Sequence, residues 1–273
     1  MCRLMAVRSQ ELMPLYRCLI SGDNSFALQS LEHPDGWGLA YYDGEETALV
    51  KSVLPAICDS LFEELSFSVN AHTLIGHVRL ATAGLVQKRN CHPFRFGDWI
   101  FAHNGHVQEF CDIRDPLMKR IKPKFRTDIE SDTDSEVFFR LLLSNYSERA
   151  DIDVGIDTEP MMEAMSATIR EIRELSEPLA HSRGNHNPCW LSSLLFHRES
   201  MMAVACGKPM AMRVCETETS GRTVYFSSEE IATRGFLDDD TKWVDIDFGH
   251  AVVIDGDLQV AHGELKNIEA ITA

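Results

Sequence analysis

Hydrophobic positions change period several times along the chain, and each change marks an element. Residues 2–8 (CRLMAVR) read as a short strand that begins at the second residue. Residues 11–21 carry Leu12, Leu15, Tyr16 and Leu19 at helical spacing and predict a helix. Residues 36–42 and 47–53 are strand-like, with Asp43-Gly44 between them as a hairpin signal. A helix is expected over 57–67, and buried strands over 73–81 and 99–107, separated by a loop holding Gly84, Asn90 and Pro93. Thr133 and Glu136 give the T-x-x-E spacing of a capping box, opening a helix over 133–145 with Val137, Phe138, Leu141 and Leu142 inward. A second helix over 159–175 shows Met162, Met165, Ile169 and Ile172, and the polar loop 181–189 follows. The remainder is strand-rich: 190–196, 201–205, 210–215, 222–227, 243–247 and 250–254.

Strands, two central helices, then strands again imply an α+β protein with helices packed on mostly antiparallel sheets, rather than alternating βαβ units. The chain shows no internal repeat, low-complexity segment or linker. The acidic stretch 151–159 reads as a loop between helices, so residues 1–273 are expected to form a single domain.

Composition narrows the function classes. With 44% hydrophobic and 25% charged residues the chain is of globular type. Twenty-six basic against 42 acidic residues give a net charge of −16, which argues against nucleic acid and anionic membrane as partners, since phosphate binding needs clustered Lys and Arg. No run of 18 apolar residues predicts a transmembrane helix, and the N-terminus lacks a signal-peptide pattern. Eight cysteines in a chain of this length, without a secretion signal, read as free thiols in a cytoplasmic protein. No CxxC supports a zinc ribbon or a thioredoxin-type site.

Cys2 is the sharpest chemical feature. If the initiator Met1 is removed, one residue carries both a thiol and a free α-amine, a nucleophile with its own base. The amine titrates near pH 7.7–8.0 in its unperturbed state, so it accepts a proton at about neutral pH. A retained Met1 would turn that nitrogen into an amide and remove its basicity. Asn104 and Gly105 end a buried strand in FAHNG, either as a plain Asn-Gly turn or as a side-chain and a backbone donor aimed at an oxyanion. Arg79, in the apolar run GHVRLAT, needs a partner: a protein carboxylate, or a substrate carboxylate held by its planar fork. Thr82 closes the same run as a turn residue or a hydroxyl contact. Asp134 falls at the first position of the 133–145 helix, where an acid suits the helix dipole and could also hold an ammonium.

Six motifs occur in a fixed order: MCRLMAV, HPDGWGLAYY, GHVRLAT, NCHPF, HNG and T-D-S-E. In them the chain resembles the class II glutamine amidotransferases, a branch of the N-terminal-nucleophile hydrolases. The likeness is greatest to stand-alone members such as the γ-glutamyl amidohydrolases of thiol metabolism. It implies a four-layer αββα sandwich with two antiparallel sheets. It implies Cys2 as nucleophile, Asn104 and Gly105 as oxyanion hole, Arg79 and Asp134 as ligands of the α-carboxylate and α-ammonium, and Thr82 in the same pocket. The substrate implied is glutamine or a γ-glutamyl small molecule, with no cofactor and no metal. A partner subunit that accepts ammonia is the alternative fate of the product, and a silent regulatory subunit the alternative to catalysis. Leu80 and Ala83 stand where synthase-fused members often carry an aromatic and a His, which leaves the leaving group open. Asp35, Gly36, Trp37 and Gly38 are expected to be structural, and the histidines His77, His92, His103, His106, His181 and His186 to be satisfied within the fold.

Overall fold

The computed structural model describes residues 2–22, 24–81, 84–217, 221–229 and 241–266. Strand β1 (Arg3–Pro14) sets the frame, because both of its faces are buried. Leu4 and Ala6 point one way, Met5 and Val7 the other, each into a different hydrophobic cluster. β1 lies within a seven-stranded sheet with β2 (Trp37–Tyr42), β3 (Thr47–Ser52), β4 (Asn70–Val78), β9 (Ala211–Thr217), β10 (Gly221–Ser227) and β11 (Val244–Asp245). The order is β11-β9-β10-β1-β4-β2-β3. A six-stranded sheet orders β13 (Val260–Glu264), β12 (His250–Ile254), β8 (Ser200–Ala205), β7 (Trp190–His197), β6 (Trp99–His106) and β5 (Phe94–Phe96). Neighbours pair antiparallel throughout.

The two sheets face each other over one core, in which Leu4, Ala6, Ile75 and Phe226 of the first meet Ile100, Ala102, Leu194 and Phe196 of the second. The outer face of the first sheet is covered by the short helices α1 (Tyr16–Leu19) and α2 (Phe26–Gln29) and by α3 (Ser60–Ser68). The outer face of the second is covered by α4 (Phe110–Arg120), α5 (Pro123–Arg126), α6 (Asp134–Tyr146) and α7 (Thr158–Ser182). The αββα sandwich expected from the sequence is therefore the observed architecture.

Several elements differ from the sequence expectation. The helix expected over 11–21 shrinks to one turn, because β1 runs on to Pro14 and pairs Met13 with Ala71. Pro14 disfavours helix at the residue before it and cannot donate within one. The 57–67 helix starts late: Asp59 caps it, its side chain accepting from the Leu61 N–H at 3.0 Å. The capping box at Thr133 does not form. Thr133 pairs its hydroxyl with Ser131, and the Glu136 carboxylate accepts from the Ser131 and Glu130 N–H groups (2.7 and 3.2 Å). Helix α7 continues past residue 175 to Ser182, with Pro178 inside it. α4 and β13 were not anticipated, and of the strand expected over 243–247 only Val244–Asp245 is paired.

Candidate active site

Strand ends deliver the site. Cys2 precedes β1, Arg79 follows β4, Asn104 and Gly105 end β6, and Asp134 opens α6. Cys2, Arg79, Gly105 and Asp134 line one cleft, together with Leu80, His92, His103, His106, Thr133 and Ser135. Asn104 is buried and not among the lining residues. By strand alternation it shares the inter-sheet face with Ile100 and Ala102, as Cys2 continues the face of Leu4 and Ala6. Thr82 lies outside the described residues. The cleft is narrow, about 30 Å³.

The Leu80 backbone brackets the nucleophile candidate. Its N–H donates to Cys2 Sγ, and its carbonyl accepts from the thiol, both at 3.4 Å. Burial raises the Cys2 pKa above the usual thiol value, and the contact with Leu80 works against that shift. Such a thiol stays protonated at neutral pH, so it needs a base to become a nucleophile.

Arg79 is held at its backbone by Gly36 and Asp35 (Arg79 N–H to Gly36 O, 2.8 Å; Asp35 N–H to Arg79 O, 3.0 Å). Its Nη1 donates to the Leu85 carbonyl at 3.1 Å. Asp35 Oδ2 accepts from the Ala81 N–H at 2.8 Å, pinning the segment just past Arg79. The DGWG motif thus supports the site from behind. A Cβ on Gly38 would meet the His92 carbonyl oxygen at 2.1 Å, and the Trp37 indole donates to Asp59 at 3.0 Å.

Asp134 is fixed on both oxygens: Oδ2 accepts from the Val107 N–H (2.7 Å), and Oδ1 lies 3.0 Å from the Ser135 hydroxyl. Because Val107 follows β6 directly, this bond ties the start of α6 to the strand that carries Asn104 and Gly105. Gly105 is dictated by space. A Cβ there would lie 1.8 Å from the Trp190 carbonyl oxygen and 2.5 Å from His103 Nε2.

His103 belongs to the same frame. Its Nε2 lies 2.8 Å from the Trp190 carbonyl, which accepts only, so the ring proton sits on Nε2. Nδ1 lies 2.9 Å from the Ser135 hydroxyl. Burial lowers the His103 pKa, with Asp134 opposing, and the one Ser135 hydroxyl proton serves either His103 Nδ1 or Asp134 Oδ1. His103 is satisfied, as expected of a structural histidine. His77 and His92 are not: their rings lie 4.3 Å apart, tilted by 42°, and their buried nitrogens have no partner among the described residues. Burial pushes both well below the ordinary histidine pKa. Among the lining groups, Ser135 and the Leu80 backbone went unnoticed in the sequence. Ser135 stands next to Asp134, but its partner His103 is 32 residues away, beyond any local pattern.

Residues 1–190 match the family model for class II glutamine amidotransferases, and the chain belongs to that family. Among curated relatives, the probable glutamine amidotransferase DUG3 of Saccharomyces cerevisiae is 26% identical over 215 residues, which is 70% of this chain and 60% of that one. A γ-glutamyl-hercynylcysteine sulfoxide hydrolase of Mycobacterium tuberculosis is 33% identical over 78 residues, 28% of this chain and 34% of its own length. The chain therefore spans less than two thirds of the length of each of these relatives. Two solved structures share the fold. A class II glutamine aminotransferase domain protein from Silicibacter pomeroyi has a TM-score of 0.67 at 22% identity, covering 97% of this chain and 99% of its own. The glutamine phosphoribosylpyrophosphate amidotransferase of B. subtilis has a TM-score of 0.63 at 19% identity, covering 98% of this chain and 50% of its own. Among the described residues, no helix is long and apolar enough to cross a membrane.

Proposed function

We propose that this chain, as a single domain, hydrolyses the side-chain amide of glutamine or of a γ-glutamyl small molecule. The observation that carries the reading is the convergence of Cys2, Arg79, Gly105 and Asp134 on one cleft. Arg79 and Asp134 supply the opposite charges that an α-amino acid head group requires, and Cys2 supplies the nucleophile for the amide at the other end. Relatives whose names describe a glutamine amidotransferase and a γ-glutamyl hydrolase support the same substrate class.

Once Met1 is removed, the Cys2 thiol passes its proton to its own α-amine through a water, and the thiolate attacks the γ-carbonyl. The Asn104 amide and the Gly105 N–H stabilise the oxyanion, a role worth about 2.7–4 kcal/mol per donor in related chemistry. The C–N bond breaks, and the α-ammonium protonates the departing ammonia or amine. Water then cleaves the γ-glutamyl thioester, releasing glutamate and restoring the thiol. Thr82 is assigned to the head-group pocket. No metal or organic cofactor enters any step. A partner subunit would matter only if the ammonia is used rather than released.

The test is glutamate release from glutamine and a panel of γ-glutamyl amides, with Cys2 confirmed as the N-terminus by intact mass. Release is expected in wild type and abolished in Cys2→Ala. Arg79→Gln and Asp134→Asn should each lower kcat/KM by roughly 10–100-fold, the value of a lost charge-assisted hydrogen bond. Undiminished release by Cys2→Ala would refute the proposal.

A further inference from the structure

A second cavity, larger than the Cys2 cleft, lies apart from it. It measures about 610 Å³ and lies between α6, the 88–97 segment and strand β3. It shares no lining residue with the Cys2 cleft. His92 of the cleft and Phe94 of the cavity meet edge-on, with ring centroids 4.8 Å apart.

Its charge runs against the rest of the protein. In a chain of net charge −16, Lys51, Lys88, Arg89, Arg95 and Arg140 all line this one space, against Asp128, Glu130 and Glu136. The acids neutralise the bases only in part. Glu136 gives one oxygen to the Ser131 and Glu130 backbone and the other to Arg140 at 3.4 Å. Arg89 is taken by Asp132 at 2.8 Å, outside the cavity lining. Lys51 and Lys88 have no carboxylate within ion-pair distance among the described residues. Lys51 instead lies over the Phe94 ring, 4.7 Å from its centroid. In the same lining Arg140, with 3% of its side chain exposed, keeps Nε and Nη1 buried without a hydrogen-bond partner among the described residues. Buried guanidinium nitrogens without acceptors are costly, and those of Arg140 beside two unpaired lysines have a physical reason if an anion from solution enters the cavity.

We propose that this cavity is a second ligand site, for a small organic anion. The carboxylate or phosphate of that anion pairs with Lys51 and Lys88 in front of Arg140, and its carbon frame rests on Leu49 and Phe94. The volume lies within the roughly 300–1,000 Å³ of small-molecule sites. Burial pulls the Lys51 pKa down to about 8, with Cys91, Glu136 and Glu130 opposing and Lys88 adding to the shift.

The experiment is calorimetric titration of the full chain with inorganic phosphate, succinate and glycerol 3-phosphate at fixed salt. One saturable site is expected for an organic member of the panel, tighter than for inorganic phosphate. Lys51→Met should weaken it about tenfold or more, as loss of a charge-assisted contact does. Lys88→Ser, at an exposed position whose replacement leaves the core untouched, should weaken it in the same direction. Cys2→Ala should bind as wild type does, which separates this site from the hydrolytic one. Absence of binding by all three anions, or wild-type affinity in both lysine variants, would overturn the proposal. Equal affinity for inorganic phosphate and the organic anions would overturn the apolar half of it.

Discussion

Gly105 shows how a single residue serves the site and the fold together. Its neighbours on the side a Cβ would occupy are a backbone carbonyl, that of Trp190, and the ring of His103, which Trp190 and Ser135 hold in place. None of these is the free end of a flexible chain, so Gly105→Ala has to separate β6 from β7 locally. Overpacking of this kind costs about 3 kcal/mol at the upper end of the usual range. For a chain of this size that should lower the calorimetric Tm by roughly 6–12 °C. The sequence pointed to Gly105 through its place in HNG, and to Cys2, Arg79 and Asp134 through similar local patterns. It did not show why glycine is needed, because Trp190 meets that position only through strand pairing. The rings of His77 and His92, without polar partners among the described residues, were equally hidden: their contact joins β4 to the segment before β5.

Helix α6 was legible as a helix and misjudged at its start. The T-x-x-E spacing is compatible with a capping box, but Ser131 offers Thr133 a closer hydroxyl partner and offers Glu136 a backbone N–H. Glu136 therefore ties down the chain entering the helix and pairs with Arg140 one turn later, both side chains nearly inaccessible. Glu136→Ala would remove both functions and leave a buried guanidinium without its carboxylate. Breaking a buried pair typically costs 3–5 kcal/mol; because the Arg95 and Asp128 carbonyls still accept from Arg140, about 3 kcal/mol is expected. Glu136→Gln keeps an acceptor for Ser131 and should lose less. Urea unfolding of the two variants gives the comparison, and equal losses would show that charge alone, not the backbone contact, is what Glu136 provides. Other elements were lost to competition between local and distant order. The helical spacing of 11–21 yields to pairing of Met13 with Ala71, while α4 carries Pro116 inside a largely polar stretch and offers no clean periodicity.

At the scale of the whole molecule, the layering followed from the order of elements, whereas the burial of histidines did not. Two sheets that share one core and are each covered by helices bury His33, His77, His92, His103 and His197, none more than 6% exposed. Burial lowers the pKa of all five, His33 to about 4. The unfolded chain takes up these protons near pH 6.5, while the folded chain resists them to lower pH. The histidine contribution to stability is thus fully present above pH 6.5. It falls away as pH drops through 6.5 toward about 4 for His33, and further down for His77 and His92. The net charge of −16 acts in the opposite direction, since protonation relieves self-repulsion as pH falls. That charge is spread over the surface and screened by salt beyond about 10 Å at 0.1 M, whereas the histidines pay their desolvation locally, so the histidine term should win. The urea midpoint measured at that ionic strength is therefore expected to be lower at pH 5 than at pH 7. The depressed Asp43 and Asp112 do not contribute in this window, because unfolded carboxylates titrate below it. A midpoint that stays level or rises from pH 7 to pH 5 would mean that these rings accept protons inside the folded sandwich, with partners that their packing does not show.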